Sequence, residues 1–295
     1  MKNAGIIGCG AMGRGMVKNL IKHQYNVFVY DIDPDMLAIA ESLGATPKEN
    51  ISELAKEVDF LLTSLPKPEI LKDALTGPNG AIQHMNAQTF ILDMGTTDVG
   101  LTKELYQTAK DSDIFFFDCP VSNGPVGAES GTLTIMVGGE EEHYESIVPV
   151  LQSVGKEIRY IGPAGSGQVV KLCNNMVVAG IMVLLSETLL TGVKAGVDAK
   201  QIAEVMSIGS AQSKVLSVFG PNLLHDTHQN INFFLGHMAK DVGLYTDLAR
   251  YSQAPSLLGS MVQQLFEIAR IQGKGNLDTS AVVQVIETMG QQKIV

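Results

Sequence analysis

The stretch AGIIGCGAMGRGMVKNLIKHQYNVFVYD, residues 4–31, decides the fold. A short apolar run, Ala4 to Ile7, meets glycines at Gly8, Gly10 and Gly13. Met12, Met16 and Leu20 then recur every four residues, the stripe of a helix. The β-rich run NVFVY follows and ends at Asp31. Strand, glycine turn, helix, strand and acid form one unit, and each glycine has a physical job in it. Gly8 permits the tight turn, Gly10 admits a pyrophosphate to the backbone, and Gly13 lets the helix lie close on the strand. The helix N-terminus offers N–H groups and a partial positive charge to phosphates. Gly8, Gly10, Ala11, Met12 and Gly13 are therefore the expected cofactor contacts of the turn. Asp31, 18 residues after Gly13, can accept hydrogen bonds from the adenosine ribose hydroxyls. A carboxylate there repels a 2′-phosphate, and DIDPDML holds no Arg or Lys, so the expected cofactor is NAD rather than NADP.

The alternation continues downstream. Asp33 with Pro34 reads as a cap and first helical residue, and Gly44 as that helix's stop. VDFLLTSLP, TFILDMGTT, IFFFDCPVS and TLTIMVGG read as strands, with a helix from about Asp98. Strands alternating with helices predict an α/β, Rossmann-like, doubly wound and mainly parallel sheet. Ligands of such sheets collect at the carboxyl ends of the strands. Leu65–Pro66, Gly95–Thr96–Thr97 and Ser122–Asn123–Gly124 fall at such ends. After IRYIGPAGSG the strand pattern stops, and the Gly/Pro cluster from Gly162 to Gly167 marks a boundary. Residues 1–162 are then a dinucleotide-binding domain. Residues 163–295 are an all-helical domain built on a long helix, from about Gln168 to Val193, that joins the two. Further helices are expected near 198–208, 213–224, 236–252, 255–272 and 279–289. Two domains leave a cleft, where small-molecule sites are common.

Bulk properties narrow the function. With 295 residues, 45 % hydrophobic and 18 % charged, the chain is a folded globular protein. A net charge of −10 argues against nucleic acid and anionic membranes, though a local pocket can still take an anionic substrate. Cys9, Cys119 and Cys173 are scattered and odd in number, which suggests a reducing compartment, and all three read as small buried hydrophobes. No signal peptide is evident, and the uncharged apolar stretch Met176 to Leu185 is too short to span a bilayer, so a soluble cytoplasmic protein is expected. HDTH, with His225 and His228, reads as a solvated turn; His237 reads as structural; no metal is expected.

QVVKLCNNMVV, residues 168–178, is apolar except for Gln168, Lys171, Asn174 and Asn175. At about 100° per residue, Asn174 lies ~60° to one side of Lys171 and Asn175 ~40° to the other, with Gln168 one turn back. The four make one polar ridge. The bland alternative is a lysine that snorkels to solvent beside asparagines bonded to backbone. A hydride transfer from an alcohol needs a group that takes the hydroxyl proton, and a partly desolvated lysine suits it. Asn175 can hold the lysine or the substrate; Asn174 can do either or serve structure alone.

These residues resemble the β-hydroxyacid dehydrogenase family. The resemblance covers nearly the whole chain: GIIGCGAMGRGM is similar to its dinucleotide signature, DCPVSNGPVGAESGTLTIMVGG to its substrate loop, GSGQVVKLCNN to its catalytic helix, and GHMAKDVGL to a further motif that reaches the cofactor. The resemblance implies Lys171 as acid/base with Asn175 as partner. It implies that Ser122, Asn123 and Gly124 hold the substrate carboxylate through backbone N–H groups and the Ser122 hydroxyl. Asn174 is added as a substrate contact from its place on the ridge. Lys240, with Asp241 beside it, would contact the cofactor or close the site. Thr96 and the Leu65–Pro66 turn would line the nicotinamide side. A homodimer or homotetramer is implied as well. Asn123 stands where the family usually has glycine; it tolerates positive φ and adds a polar side chain near the substrate. Gly95 stands where serine is common. The expected activity is NAD-dependent interconversion of a small 3-hydroxy acid and its semialdehyde. The competing readings are a non-catalytic dinucleotide-binding scaffold, an imine reductase and a phosphogluconate dehydrogenase relative. Lys171 counts against the first two, and the lack of an Arg/Lys phosphate clamp counts against the last.

Overall fold

The structure is a computed structural model that describes residues 2–295. The chain divides into two compact units, the first ending at Lys171 and the second running Leu172–Val295.

The first unit is built on nine strands: β1 (Asn3–Ile7), β2 (Asn26–Tyr30), β3 (Thr46–Pro47), β4 (Phe60–Thr63), β5 (Phe90–Asp93), β6 (Phe115–Asp118), β7 (Val121–Ser122), β8 (Leu133–Gly138) and β9 (Gly155–Gly162). Their order is β3-β2-β1-β4-β5-β6-β8-β7, with β9 also paired to β8. The first six are parallel, β8 runs antiparallel to β6 and β7, and β9 is parallel to β8. Both faces are covered, which explains the unbroken apolar runs. Ile6, Val29, Leu62, Leu92 and Phe117 pack on one face, and Ile7, Leu61, Ile91 and Phe116, each adjacent in sequence to a member of the first set or its strand, on the other.

The helices of this unit are α1 (Ala11–Lys22), α2 (Pro34–Ser42), α3 (Ile51–Ala55), α4 (Pro68–Thr76), α5 (Val99–Asp111), α6 (Gly124–Ser130) and α7 (Tyr144–Val154), and α8 (Ser166–Lys194) begins in it. Local chemistry sets their ends. Asp33 caps α2 by accepting from Asp35 N, with Pro34 at the first turn, and Gly44 ends it at φ 104°. Asp98 caps α5 through Leu101 N at 2.8 Å.

The register aligns the last residues of five strands. Ile7 pairs Tyr30 and Thr63, Thr63 pairs Asp93, and Asp93 pairs Asp118. The chain leaving this row supplies Gly8, Asp31, Leu65–Pro66 and Gly95–Thr96. β1 sits where the strand order reverses, the switch point at which doubly wound sheets bind ligands.

The second unit holds most of α8 and then α9 (Ala199–Ile208), α10 (Lys214–His225), α11 (Leu235–Tyr251), α12 (Leu257–Ile271) and α13 (Val283–Gly290). Its core gathers Ala179, Met182 and Leu189 of α8 with Leu235 and Val242 of α11 and Phe266 of α12. The units divide inside α8, not at the Gly/Pro cluster, because the first turn of α8 is bonded to β6. Gly165 N and Gln168 N donate to Asp118 at 2.7 and 2.9 Å. α8 has 29 residues and a mean hydropathy of 2.0 in its most apolar window, so by length and composition alone it is able to cross a membrane. The length is used here for the core of the second unit, where Ala179, Met182, Ser186 and Leu189 are fully buried.

Candidate active site

The glycine turn after β1 is shaped by close approach. Gly8 has φ 96°, and a Cβ on it would sit 2.4 Å from Ser64 O. A Cβ on Gly13 would sit 1.9 Å from Gly8 O, so α1 can lie against the turn only without a side chain. Gly10 differs: a Cβ there meets nothing within 4 Å. Its constraint is open space above the start of α1, whose N-cap, Gly10, brings no side chain to occupy the first-turn N–H groups. The cradle fits a pyrophosphate: Ala11, Met12 and Gly13 are the first turn of α1.

Asp31 has a second task that spacing did not reveal. Its carboxylate accepts from Cys9 N at 2.6 Å and from Asp33 N at 2.9 Å, bracing the turn and the next loop. The Cys9 thiol is pushed up to about 12 by burial and by Asp31, so it stays protonated. Cys119 is likewise buried and held protonated, by burial first and then by Asp118 and Asp93. Cys173 is exposed, which corrects the reading of three buried cysteines; it lies on the solvent side of α8.

Two residues that sequence reasoning passed over tie α1 to α6. A Cβ on Gly15 would lie 2.7 Å from the Ala128 backbone. Asn19, buried, donates to Ala128 O at 2.8 Å and Gly15 O at 2.9 Å. The signal for them, a second glycine within α1 and a polar residue on its apolar face, was in the sequence; their partner was not.

Leu65 is half-buried, Pro66 exposed and Thr96 half-buried. β7 then delivers Ser122, half-buried, into a turn where Asn123 (φ 84°) and Gly124 (φ 56°) are both left-handed. The Asn123 amide donates to Thr132 O at 3.1 Å and Thr134 Oγ1 at 3.3 Å. The side chain thus braces its own loop, and the positive φ is the conformation that asparagine tolerates.

On α8 the ridge is three parts buried and one part exposed. Gln168 is 0 %, Lys171 7 % and Asn175 4 % exposed, whereas Asn174 faces solvent and donates to Asn175 Oδ1 at 3.0 Å. The solvent side of the helix carries apolar groups, Val177 at 61 % and Leu184 at 58 % exposed. Within the second unit Asn175 donates to Asp241 Oδ2 at 2.6 Å, and Lys240 Nζ stands 3.0 Å from Asp241 Oδ1. The latter pair is held by charge and not by hydrogen-bond alignment, since Oδ1 accepts none from the described residues. Asp241, 1 % exposed, therefore orients Asn175 and neutralises Lys240. The sequence reading had it only as a neighbour of Lys240.

His237 and His228 lie in the second unit. His237 lies edge-on to Phe233 and Phe234, and burial lowers its pKa. His228 is buried, not solvated: one ring nitrogen meets Ser280 Oγ at 2.8 Å and the other Asp226 Oδ1 at 3.2 Å. Among the described residues no group of three or more His, Cys, Asp or Glu could hold a metal ion.

Comparison with known proteins gives the family. Residues 3–162 match the NAD binding domain of 6-phosphogluconate dehydrogenase. Residues 165–286 match the domain described as NAD-binding of NADP-dependent 3-hydroxyisobutyrate dehydrogenase. The probable mitochondrial 3-hydroxyisobutyrate dehydrogenase of Dictyostelium discoideum is 36 % identical over 287 residues, 95 % of this chain and 89 % of its own. The 2-(hydroxymethyl)glutarate dehydrogenase of Eubacterium barkeri is 35 % identical over 285 residues, 97 % and 95 %. A Mycobacterium tuberculosis 3-hydroxyisobutyrate dehydrogenase solved with L-serine superposes with a TM-score of 0.89 at 27 % identity, covering 97 % of this chain and 99 % of that one. The chain belongs to the β-hydroxyacid dehydrogenase family, NAD(P)-dependent oxidoreductases of small hydroxy acids.

Proposed function

We propose that this chain interconverts a small 3-hydroxy acid and its semialdehyde, with Lys171 as general acid/base and NAD preferred over NADP. The observation that carries the reading is a lysine only 7 % exposed on an apolar helix. Burying an ammonium is costly even when it is paired, so a buried lysine is a candidate for chemistry. A nicotinamide held on the glycine turn would supply the hydride acceptor for the carbinol carbon. In the oxidation Lys171 Nζ starts as the neutral amine and takes the hydroxyl proton as the C–O bond becomes C=O; in the reverse direction the ammonium returns it. Asn175, set by Asp241, orients the reacting oxygen or the lysine. Ser122 and the N–H groups at Asn123 and Gly124 hold the substrate carboxylate; Lys240 reaches toward the cofactor; Leu65, Pro66 and Thr96 flank the nicotinamide. Asp31 favours NAD, because Asp33 and Asp35 follow it and no cation is near in sequence to meet a 2′-phosphate.

The substrate class follows the relatives: 3-hydroxyisobutyrate and 2-(hydroxymethyl)glutarate both present a carboxylate beside a primary alcohol. The test is steady-state oxidation of these two and L-serine with NAD and with NADP, for wild type and Lys171→Ala. Expected are turnover of at least one acid, a higher kcat/KM with NAD, and a kcat lowered ~10²–10⁴-fold in Lys171→Ala with NADH binding kept. Near-normal turnover by Lys171→Ala would falsify the lysine role, and a large NADPH preference the cofactor assignment. We further propose a cytoplasmic homo-oligomer. Three unpaired cysteines support the reducing compartment, and the exposed apolar side of α8 supports self-association.

A further inference from the structure

Asp93 and Asp118 end neighbouring strands in register, and both are buried. Each carboxylate is engaged. Asp118 accepts from Gly165 N and Gln168 N at 2.7 and 2.9 Å. Asp93 Oδ1 accepts from Thr63 Oγ1 at 2.8 Å and Gly95 N at 3.1 Å. The fully buried side chain of Gln168 reaches the same loop. Its Oε1 accepts from Thr97 N at 3.1 Å, and its Nε2 donates to Gly95 O at 3.0 Å, with Asp93 Oδ2 at 3.5 Å. The carboxamide thus grips residues 95 and 97 and brackets Thr96. Gln168 is fully buried, uncharged, and able to accept and donate at one end, which matches this loop's one N–H and one C=O. The fit is close: a Cβ on Gly167 would lie 2.3 Å from Met136 O and 2.8 Å from Asp118 Oδ2. Lys171 follows three residues later on the same face of α8.

We propose that Gln168 is a positioning residue, whose amide locks the Thr96 loop to the helix that carries Lys171 so that cofactor loop and proton-transfer group are one rigid piece. It touches neither substrate nor cofactor; it acts through Thr96 and Lys171. This role rests on the hydride-transfer reading above. A misplacement of about 1 Å at such a site costs on the order of 10²-fold in rate without abolishing binding.

The full-length protein is assayed with 3-hydroxyisobutyrate and NAD between pH 6 and pH 9, with NADH fluorescence titration and thermal melting beside it. Gln168→Met keeps the length and removes both hydrogen bonds. Its kcat is expected to fall about tenfold or more, while KM for the acid and Kd for NADH stay within roughly threefold. Gln168→Glu supplies an internal rescue. Protonated, its carboxyl can still accept from Thr97 N and donate to Gly95 O; ionised, it loses the donor and sets a charge against Asp93 and Asp118, with Cys119 between them. The kcat of Gln168→Glu relative to wild type should therefore fall about tenfold as pH rises, while the Gln168→Met ratio stays flat. A merely structural residue would move Tm and leave that ratio unchanged. Wild-type kcat in Gln168→Met overturns the role. Should Gln168→Met fail to fold, a pH-independent Gln168→Glu ratio overturns it. If the wild-type protein oxidises none of the acids with either cofactor, the hydride-transfer reading fails and this role with it; an active wild type with indifferent variants removes this role alone.

Discussion

Spacing alone singles out Lys171 and Asp31, but their neighbours define their surroundings. Asp31 reads as a ribose acceptor from its place just after β2. That it also braces Cys9 N was not legible, because the bond runs across a turn whose shape follows from Gly8 and Gly13. His228 shows the same limit more sharply. In sequence it belongs to a polar turn, HDTH; folded, it is 2 % exposed between Ser280 and Asp226. Burial lowers its pKa below the ordinary value of 6.5, outweighing the opposing pull of Asp226, Asp278 and Glu287. The unfolded chain therefore takes up this proton first, and stability is complete above about pH 6.5 and declines as pH falls from there toward the lower folded value. His237, also lowered by burial, acts in the same direction. Melting curves from pH 8 to pH 5 should show Tm falling in wild type and falling less in His228→Gln. Parallel curves for the two proteins would mean that His228 does not contribute.

At the scale of elements, the strand–turn–helix unit β1–α1 separates two uses of glycine that its sequence writes identically. Gly13→Ala drives a methyl into Gly8 O at 1.9 Å, backbone that cannot rotate aside. It should cost about 1–3 kcal/mol and lower NADH affinity as well. Gly10→Ala meets no protein atom within 4 Å, so stability should stay within about 0.5 kcal/mol while NADH affinity drops. Urea unfolding and NADH titration on the two variants read the split. A Gly10→Ala protein that binds NADH normally would mean that the pyrophosphate does not approach there. The element boundaries themselves were readable: caps at Asp33, Asp98 and Asp198 and the stop at Gly44 announce them in the sequence. The contacts of Gly15 and Asn19 with α6 were not, since they join segments more than a hundred residues apart.

For the whole molecule, the apolar side groups that α8 turns to solvent need an occupant. Val177 and Leu184 of α8 are 61 % and 58 % exposed, and Leu258 and Met261 of α12 are 77 % and 65 % exposed. This apolar set brings no charge of its own, on a chain carrying −10. A second copy suits it, because two like-charged chains associate best where neither brings charge. Sedimentation velocity should give a dimer or larger for wild type and a shift toward monomer for Leu258→Glu with Val177→Glu. A wild-type monomer at micromolar concentration would sink the proposal.

The sequence by itself determined the alternation of six main strands with helices, the glycine turn and the polar ridge, because these are written in spacing over one or two turns of chain; the short strands β3 and β7, the strand β9 and the helices α3, α4, α6 and α7 were not legible. It also carried the family, through four motifs in order. Only the tertiary structure decided which residues of the ridge are buried, that Asn123 braces its own loop, that Asp241 sets Asn175, and that Gln168 ties α8 to the Thr96 loop. Hydrogen-bond partners and burial depend on what the fold brings opposite, and residues 95 and 168, or 175 and 241, meet only when sheet and helices have closed.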